Sequence, residues 1–526
     1  MEVYHHGGDL LAGAVQKAYA NGETDYYLEP LVRVDENGRP VGRIQEGNAV
    51  VFCCRRGERE IELTDAFVAA EFPHFKRTPP ANLEFVILTM YHEKYAGRPI
   101  AFAPSTITGT LAETVSRSGM RQLHCAESEK YAHVTYFFNG GTNQPFRGED
   151  DIKVPSPKGV PFDEVPALSL PQVADEIISG LRKGYELIVT NFANGDVIGH
   201  TSNREAKIEC ARHVDTQLGR LLDAAKAAGY VSVITADHGN IEELTTAEGK
   251  PHVAHTSNPV PLLIVDPAGG VTPLEQSGTL RDIAPTVLHI LGIKAPEEMT
   301  GKSLIEAGYD FGEGRKALLI ILDGWGIGPR EEDNPIKIAQ TPVWDALLAS
   351  YPPVILGASG EAVGLQAGKP GNSEAGHINI GAGRVVKQDD VRLDEAMKDG
   401  SFEKNEVFLK TIELVRKRNT RLHLLFLLTR KSSHGSIDYP LAMLKMARGL
   451  PEIYLHVIFD GRSTPPGSAP ELLLEFDRMI QETGTNCQIV DGVGRGLALD
   501  RDGDYAKIKR TYDALVSGIG RQYNFN

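Results

Sequence analysis

Short apolar runs alternate with longer amphipathic stretches through the middle of the chain. The runs 186–192, 231–235, Val260–Val265 and 317–322 each have the length of a buried strand. Between two of them, Arg204–Ala228 places apolar residues at three- and four-residue spacing, which predicts a long surface helix. This alternation predicts an α/β fold whose sheet is largely parallel and has helices on its faces.

The last third of the chain repeats the pattern. Leu422–Leu428 and Ile453–Phe459 are apolar runs separated by helical spacing. The segment 308–315 is polar and rich in glycine, which is typical of a surface joint between elements. Because 526 residues exceed one ordinary hydrophobic core, we expect two α/β domains.

Composition and charge disfavour several classes of partner and cellular location. The 54 glycines and 31 prolines predict many tight loops between strands and helices. A formal net charge of −15 disfavours nucleic acid or an anionic membrane as the main partner, but a small anionic substrate is compatible with it. The apolar runs are too short to span a bilayer, and no secretory signal is visible. Five scattered cysteines form no disulfide or metal pattern, so we expect reduced thiols and a cytoplasmic location.

Polar side chains cluster at the ends of the predicted strands, where open α/β sheets bind ligands. Four strand ends deliver three aspartates and three histidines: Asp196, His200, Asp237, His238, His255 and Asp323. Any one of them alone is typical of a surface pair, a helix cap or a structural histidine. Their convergence predicts a metal centre, because mixed carboxylate and imidazole ligands suit Mn²⁺ or Zn²⁺. Six ligands suffice for two ions, which can stabilise both oxygens of a phosphoryl displacement.

Ser373 is the candidate nucleophile. It follows Gly371 and Asn372 and precedes a predicted helix. By itself this position is typical of a helix N-cap. A serine at a helix N-terminus beside a metal ion would also have its alkoxide favoured, and its phosphate ester would meet backbone N–H groups. The six candidate ligands elsewhere favour the nucleophile.

Eight segments of the chain resemble the cofactor-independent (2,3-bisphosphoglycerate-independent) phosphoglycerate mutases of the alkaline phosphatase superfamily. They are DGWG at Asp323, GNSEAGH around Ser373, IGAGR at Gly381, EKYAHVTYFFNGG from Glu129, NFANGDVIGH, ADHGN, AHTSNPVP and EMTGKSL. The resemblance implies an alkaline-phosphatase-like, mostly parallel sheet domain and a second, smaller α/β transferase domain. It also implies interconversion of 3-phosphoglycerate and 2-phosphoglycerate through a phosphoserine.

The order of these segments differs from that of the family. Family members begin with DGWG and end with MTGKS, whereas here the MTGKS segment at 299–303 runs through 308–315 into DGWG. The chain therefore resembles a circular permutant of the family. We expect a phosphatase-like catalytic domain at 98–388 and a transferase domain assembled from 1–97 and 389–526.

The resemblance also implies a role for individual residues. One metal ion would be held by Asp196, His200 and His255, and a second by Asp323, Asp237, His238 and Ser373. Lys130 would bridge toward the transferring phosphoryl group, and His434 would shuttle a proton. The expected metal is Mn²⁺, with Zn²⁺, Co²⁺ and Mg²⁺ as alternatives.

Arginines would hold the substrate, because a planar guanidinium bonds carboxylate and phosphate bidentately. The resemblance implies this role for Arg56, Arg59, Arg462, Arg495 and Arg501, with Ser463 at a further substrate-contacting position. The expected partner is therefore a small phosphoglycerate-like molecule, and the expected assembly is a monomer.

Three departures from the family fall in the part that would bind the glycerate. The family reads DGRDTPP where this chain has Ser463, and a serine cannot carry a negative charge or act as a comparable base. The segment TRKSSHGS keeps His434 but places Arg430 and Ser436 where the family has Asp and His. A tryptophan that commonly follows the family's MDRD segment is absent from LDRDGDY.

These departures keep other functions open. One is a related phosphoryl or phosphonyl transferase that uses a different donor with a glycerate-like acceptor. Another is a phosphatase or phosphodiesterase of the same superfamily, and a third is a catalytically inactive binding protein.

Overall fold

The computed structural model describes residues 5–55, 59–104, 107–432 and 434–524. Arg56, a predicted substrate ligand, lies outside the described residues. The strands are β1 Leu31–Arg33, β2 Ala49–Phe52, β3 Glu84–Thr89, β4 Ile100–Phe102, β5 Gln122–Glu127, β6 Glu149–Val154, β7 Leu187–Phe192, β8 Tyr230–Thr235, β9 Val260–Val265, β10 Ser277–Thr279, β11 Lys316–Leu322, β12 Val354–Gly357, β13 Leu422–Leu428, β14 Ile453–Phe459, β15 Gln488–Gly494 and β16 Arg521–Tyr523.

The helices between these strands range from single turns to a helix of seven turns. They are α1 Gly8–Ala20, α2 Ile61–Val68, α3 Leu111–Arg117, α4 Leu170–Lys183, α5 Asn194–Gly199, α6 Arg204–Ala228, α7 Ile283–Ile290, α8 Pro335–Ile338, α9 Pro342–Ser350, α10 Ser373–Ala382, α11 Asp389–Asp399, α12 Glu406–Arg418, α13 Asp438–Met446, α14 Ala469–Thr483, α15 Arg495–Ala498 and α16 Tyr505–Ser517. None of the helices in the described ranges combines the length and the apolar character that crossing a bilayer requires.

One compact unit comprises residues 105–391. Its described strands form a sheet in the order β10-β12-β9-β8-β11-β7-β5-β6. The central strands β8, β11 and β7 are parallel, whereas β9 runs antiparallel to both β8 and β12. Strand β11 is buried along almost its whole length, as expected for a strand with neighbours on both edges and helices on both faces. The predicted strands here are confirmed to within one residue, and α6 has the predicted bounds.

The other unit comprises residues 1–104 and 392–526. Its described strands follow the order β16-β1-β15-β14-β13-β2-β3-β4, and only the pair β1 and β15 is antiparallel. Strands β13 and β14 have the predicted bounds, and every residue in them is buried. The prediction of two mostly parallel α/β sheets is thus confirmed. The segment 308–315 contains turns but neither helix nor strand, as predicted.

Candidate functional site

The six predicted ligands meet at one edge of the sheet in the unit 105–391. Asp196 and His200 lie one helical turn apart, at and just after α5. Asp323 directly follows β11, and Asp237 and His238 follow β8 after one intervening residue. His255 precedes its strand instead of following it. It joins the others because β9 is antiparallel to β8, so that the start of β9 lies beside the end of β8.

Asp196, His200 and His255 form a tight trio. Oδ1 of Asp196 lies 3.0 Å from Nε2 of His255 and 3.2 Å from Nε2 of His200, and the two Nε2 atoms are 3.0 Å apart. Nδ1 of His200 lies 2.9 Å from the carbonyl oxygen of Val253, and Nδ1 of His255 lies 2.8 Å from that of Gly371. These carbonyls favour hydrogens on Nδ1, which leaves both Nε2 lone pairs facing a carboxylate oxygen. Such a set fits a cation bound among the three side chains.

A second group surrounds Ser373. Nε2 of His238 lies 2.9 Å from Ser373 Oγ, and the Ser373 hydroxyl donates to Oδ1 of Asp323 at 3.2 Å. Oδ2 of Asp237 lies 3.4 Å from the same His238 nitrogen. This oxygen is buried and accepts no hydrogen bond from a described residue, although Oδ1 accepts the backbone N–H groups of His238 and Gly324. A buried carboxylate oxygen without a donor is expected where a metal ion binds.

Ser373 is the first residue of α10 and does not cap it. The N-cap is Asn372, whose side-chain oxygen accepts the N–H of Ala375 at 2.8 Å. The N-cap interpretation of Ser373 is therefore wrong, and its hydroxyl is directed to the cluster instead. A Cβ at Gly376 would come within 2.7 Å of the backbone oxygen of Asp237, so glycine lets the first turn of α10 approach the ligand loop.

Lys130 joins the two groups. Its Nζ donates to Asp196 Oδ2 at 2.7 Å, to Asp323 Oδ1 at 2.9 Å and to Ser373 Oγ at 2.6 Å. Burial opposes the charge of this ammonium, but the surrounding aspartates outweigh burial and raise the pKa of Lys130. Lys130 is thus held as a cation against the candidate nucleophile.

The charge of the cluster favours divalent cations. Three buried carboxylates, from Asp196, Asp237 and Asp323, surround the single ammonium of Lys130. Although burial lowers the pKa of His238, these carboxylates raise it to about 9. The site therefore attracts positive charge strongly, because an uncompensated buried carboxylate costs several kcal/mol, roughly. The residues present fit two divalent ions in both donor type and charge.

Several polar residues around the site were missed by the sequence reasoning. Nδ2 of Asn191, within β7, donates to Asp323 Oδ2 at 2.6 Å, and Nδ2 of Asn240 donates to Asp196 Oδ1 at 3.0 Å. Nδ1 of His377 lies 2.8 Å from the carbonyl oxygen of Ser373 and 3.3 Å from Asp237 Oδ2. An asparagine inside an apolar strand was a usable signal for Asn191. His377 lies in the GNSEAGH segment, but its spacing gave no separate signal.

The substrate-binding candidates lie in the other unit. His434 is largely buried, and its Nδ1 lies 3.7 Å from Oε1 of the fully buried Glu60. Nη1 of the buried Arg495 donates to Asp460 Oδ1 at 2.6 Å. Nη1 of Arg59, also buried, donates to the carbonyl oxygen of Leu499 at 3.1 Å.

Three further candidates are exposed. Arg462 and Ser463 lie in the turn after β14, and the Ser463 N–H donates to Asp460 Oδ1 at 3.2 Å. Arg501 lies in the loop after α15. The structure thus gathers every predicted metal ligand, Ser373 and Lys130 into one set of contacts, while the described substrate-binding candidates are spread over several loops and the start of α15.

Two family models match parts of the chain. Residues 43–295 match the family model described as the Metalloenzyme superfamily, and residues 393–525 match the model described as the BPG-independent PGAM N-terminus. The superfamily match and the ligand clusters together indicate a protein that binds divalent metal.

Curated relatives carry the name 2,3-bisphosphoglycerate-independent phosphoglycerate mutase. The protein of Desulforudis audaxviator is 45% identical over 293 residues, covering 56% of this chain and 57% of the relative. That of Syntrophotalea carbinolica is 45% identical over 298 residues, with 56% and 57% covered. The chain thus spans little more than half the length of these relatives. A crystal structure of Leishmania mexicana phosphoglycerate mutase at low cobalt concentration is 31% identical, with a TM-score of 0.42 over 52% of this chain and 53% of that chain.

Proposed function

We propose that the chain is a BPG-independent phosphoglycerate mutase, which interconverts 3-phosphoglycerate and 2-phosphoglycerate without 2,3-bisphosphoglycerate; the two family-model matches and the names of the curated relatives support this proposal. The observation that carries this proposal is the set of contacts at Ser373 Oγ. Lys130 Nζ, His238 Nε2 and Asp323 Oδ1 lie at 2.6, 2.9 and 3.2 Å from this oxygen. Such surroundings suit a nucleophile better than a structural hydroxyl.

Ser373 attacks the phosphoryl group of the bound phosphoglycerate. Asp323 accepts the hydrogen of its hydroxyl, and the ammonium of Lys130 stabilises the negative charge that develops on Oγ and on the transferring group. The N-terminal N–H groups of α10 face the phosphoserine that results. The glycerate is retained, reorients and accepts the group on its other hydroxyl.

Two divalent ions, Mn²⁺ by preference and Zn²⁺, Co²⁺ or Mg²⁺ as alternatives, fit the two groups of ligands. Asp196, His200 and His255 would hold one ion. Asp323, Asp237, His238 and Ser373 would hold the other, and the pair would neutralise charge on the attacking and leaving oxygens.

The other unit supplies substrate recognition. The arginines proposed to bind the carboxylate and phosphate of the substrate are Arg56, Arg59, Arg462, Arg495 and Arg501, and Ser463 is proposed as a further contact. His434 moves the proton between the two hydroxyls of the glycerate. Two of these arginines are buried in hydrogen-bonded positions, which supports a fixed anion-binding role for them.

The test is conversion of 3-phosphoglycerate by the Mn²⁺-loaded protein without 2,3-bisphosphoglycerate. The reaction is stopped with EDTA and read by phosphorus NMR. Growth of a 2-phosphoglycerate signal supports the mutase. Release of inorganic phosphate alone, or an unchanged spectrum with both ions bound, would contradict it.

A second function is favoured by one observation, the serine at position 463. Ser463 and the altered loop around His434 would suit a phosphoryl or phosphonyl transferase of the same family that uses another donor with a glycerate-like acceptor. Phosphorylation of Ser373 by a donor other than phosphoglycerate would support this function over the mutase.

The chain is also proposed to be a circular permutant, with a catalytic domain at 98–388 and a transferase domain from 1–97 and 389–526. The match of residues 393–525 to the family's N-terminal model, following the superfamily match at 43–295, supports this order. A rearranged gene that starts before β11 and joins the present ends through a flexible linker should yield a protein of equal activity. A monomer in the cytoplasm is proposed as the working form.

A further inference from the structure

Glu60 is a buried carboxylate that the proposed mechanism does not use. It directly follows Arg59 and precedes the first residue of α2, and it is 0% exposed. Neither of its carboxylate oxygens accepts a hydrogen bond from a described residue. A carboxylate buried in this way costs free energy that packing alone does not return. Glu60 is therefore a candidate functional group.

The nearest candidate partner is His434, which is itself incompletely bonded. Nδ1 of His434 is buried, has no hydrogen-bond partner among the described residues, and lies 3.7 Å from Oε1 of Glu60. This distance is about 0.5 Å longer than the upper range of an N–H···O hydrogen bond, so a small side-chain movement brings the two atoms into bonding range. The two groups thus face each other with one donor and one acceptor unused.

The backbone fixes this arrangement. The N–H of Arg55 donates to the carbonyl oxygen of His434 at 2.9 Å, and Nη2 of Arg55 donates to that of Ser432 at 2.7 Å. These bonds hold the His434 loop against Arg55, which follows β2 in the same unit as Glu60. Hydrogen bonds to the main chain therefore restrain the His434 side of the pair.

The charges nearby are consistent with a polar site. Burial raises the pKa of Glu60, and the opposing influence comes from His434 and Arg495. The Arg495 guanidinium bonds Asp460, the carboxylate that also accepts the Ser463 N–H. Glu60 thus lies among the groups proposed to bind the glycerate.

We propose that Glu60 is a positioning residue for His434, accepting its Nδ1–H and leaving Nε2 free to exchange a proton with the glycerate. This inference rests on the proposed mutase function.

In the first half-reaction the O–P bond of the phosphoglycerate breaks as the Ser373 O–P bond forms, and the His434 imidazolium gives its Nε2 proton to the departing oxygen. In the second, the other hydroxyl loses its proton to Nε2 as its oxygen bonds phosphorus and the Ser373 O–P bond breaks. The Glu60 carboxylate stabilises the imidazolium before the first half-reaction and after the second. The protons balance over the cycle because the hydrogen that Asp323 accepts from Ser373 returns to Ser373 when its O–P bond breaks.

The test combines the tautomer of His434 with kinetics. In protein labelled with ¹⁵N-histidine, the His434 signals are assigned by their loss in His434→Gln. The wild type should show the Nδ1–H tautomer, and Glu60→Gln should lose this preference. The same variant should lower kcat roughly 10- to 100-fold while KM changes less than about threefold.

Two further variants separate positioning from a structural role. Asp65→Asn is the matched control, because Asp65 lies on α2, the helix that Glu60 directly precedes, but bonds Lys94 and Tyr95. It should change neither the tautomer nor kcat. Glu60→Gln should add no further loss in a His434→Gln background, and Glu60→Asp should recover part of kcat if the carboxylate is what matters.

The inference is overturned if Glu60→Gln, folded as judged by circular dichroism, keeps the wild-type tautomer, or if its effect adds to that of His434→Gln. The NMR readout needs no turnover. Absence of mutase activity in the wild type would therefore reject the proposed function while the pairing of Glu60 and His434 was still tested directly.

Discussion

The two candidate sites differ in how firmly their side chains are fixed. In the unit 105–391, the site around Ser373 is a dense site: Ser373 Oγ has three polar partners within 3.2 Å, and the aspartates around it are buried. In the other unit, the site around His434 is a loose site: His434 lies 3.7 Å from Glu60, and Arg462 and Arg501 are exposed. Ligands at strand ends are placed by the sheet itself, whereas substrate contacts on loops can change without loss of the fold. Phosphoryl chemistry is therefore expected to tolerate substitution less than substrate recognition does.

The largest effect is expected from Ser373→Ala. Removal of the proposed nucleophile should lower conversion of 3-phosphoglycerate by at least roughly 10⁴-fold, because the proposed covalent intermediate cannot form. Folding should be unchanged, since the cap of α10 is Asn372. The rate is measured by phosphorus NMR and the fold by thermal unfolding.

Ser359→Ala is the control for that substitution. Ser359 is in the same unit, and its hydroxyl donates only to the backbone oxygen of Ser257 among the bonds described. It should retain wild-type turnover. Comparable turnover by Ser373→Ala would show that the dense site is not where the phosphoryl group is carried.

Lys130→Met should have the next largest effect. The substitution removes an ammonium that bonds Asp196, Asp323 and Ser373, so kcat should fall roughly 10²- to 10³-fold. The metal-free variant should also unfold more readily than the metal-free wild type, because the buried carboxylates lose their counter-charge. Lys337→Met, which removes an exposed lysine paired with Asp345, should leave both properties unchanged. Equal kcat in the two variants would exclude a role for Lys130 in charge stabilisation.

The sequence predicted the dense site better than the loose one for a physical reason. Apolar runs located β7, β8, β9 and β11, and parallel pairing then brought their polar ends together. The antiparallel direction of β9, which admits His255, cannot be read from periodicity. Sequence patterns did not identify Glu60 as a site residue, because nothing in its local sequence shows that its carboxylate is buried beside a loop nearly four hundred residues away. The capping role of Asn372 depended on a one-residue helix boundary, which sequence patterns resolve poorly.

A third prediction concerns pH and sharpens the charge argument for the dense site. Burial lowers the pKa of His238, but Asp237, Asp323 and Asp196 outweigh burial and raise this pKa to about 9 from its ordinary value of 6.5. In metal-free protein this proton contributes stability that is fully present below pH 6.5 and is lost as pH rises through 9. The free energy of unfolding should therefore fall by up to about 3 kcal/mol across this window.

Metal should reverse that dependence. A divalent ion needs the neutral imidazole, so Mn²⁺-loaded protein kept under argon should gain stability, or hold it, over the same pH window. Urea unfolding with EDTA or with Mn²⁺ measures both curves, and His238→Gln should flatten the metal-free curve. Parallel curves with and without metal would show that His238 does not bind the ion.

The smallest effect is expected from Ser463→Asp, which tests the loose site. The added carboxylate is exposed and close to Asp460, whose Oδ1 already accepts the Ser463 N–H and the Arg495 guanidinium. It should repel an anionic substrate and raise KM for 3-phosphoglycerate about threefold, since exposed charges act through less than about 1 kcal/mol. Asn37→Asp adds the same charge at an exposed turn of the same unit and should leave KM unchanged.

If Glu60 already positions His434, kcat of Ser463→Asp should stay within about twofold of the wild type. A tenfold gain in kcat would instead mean that the chain lacks a carboxylate at position 463 that the mutase reaction needs, and that its present substrate is a different one.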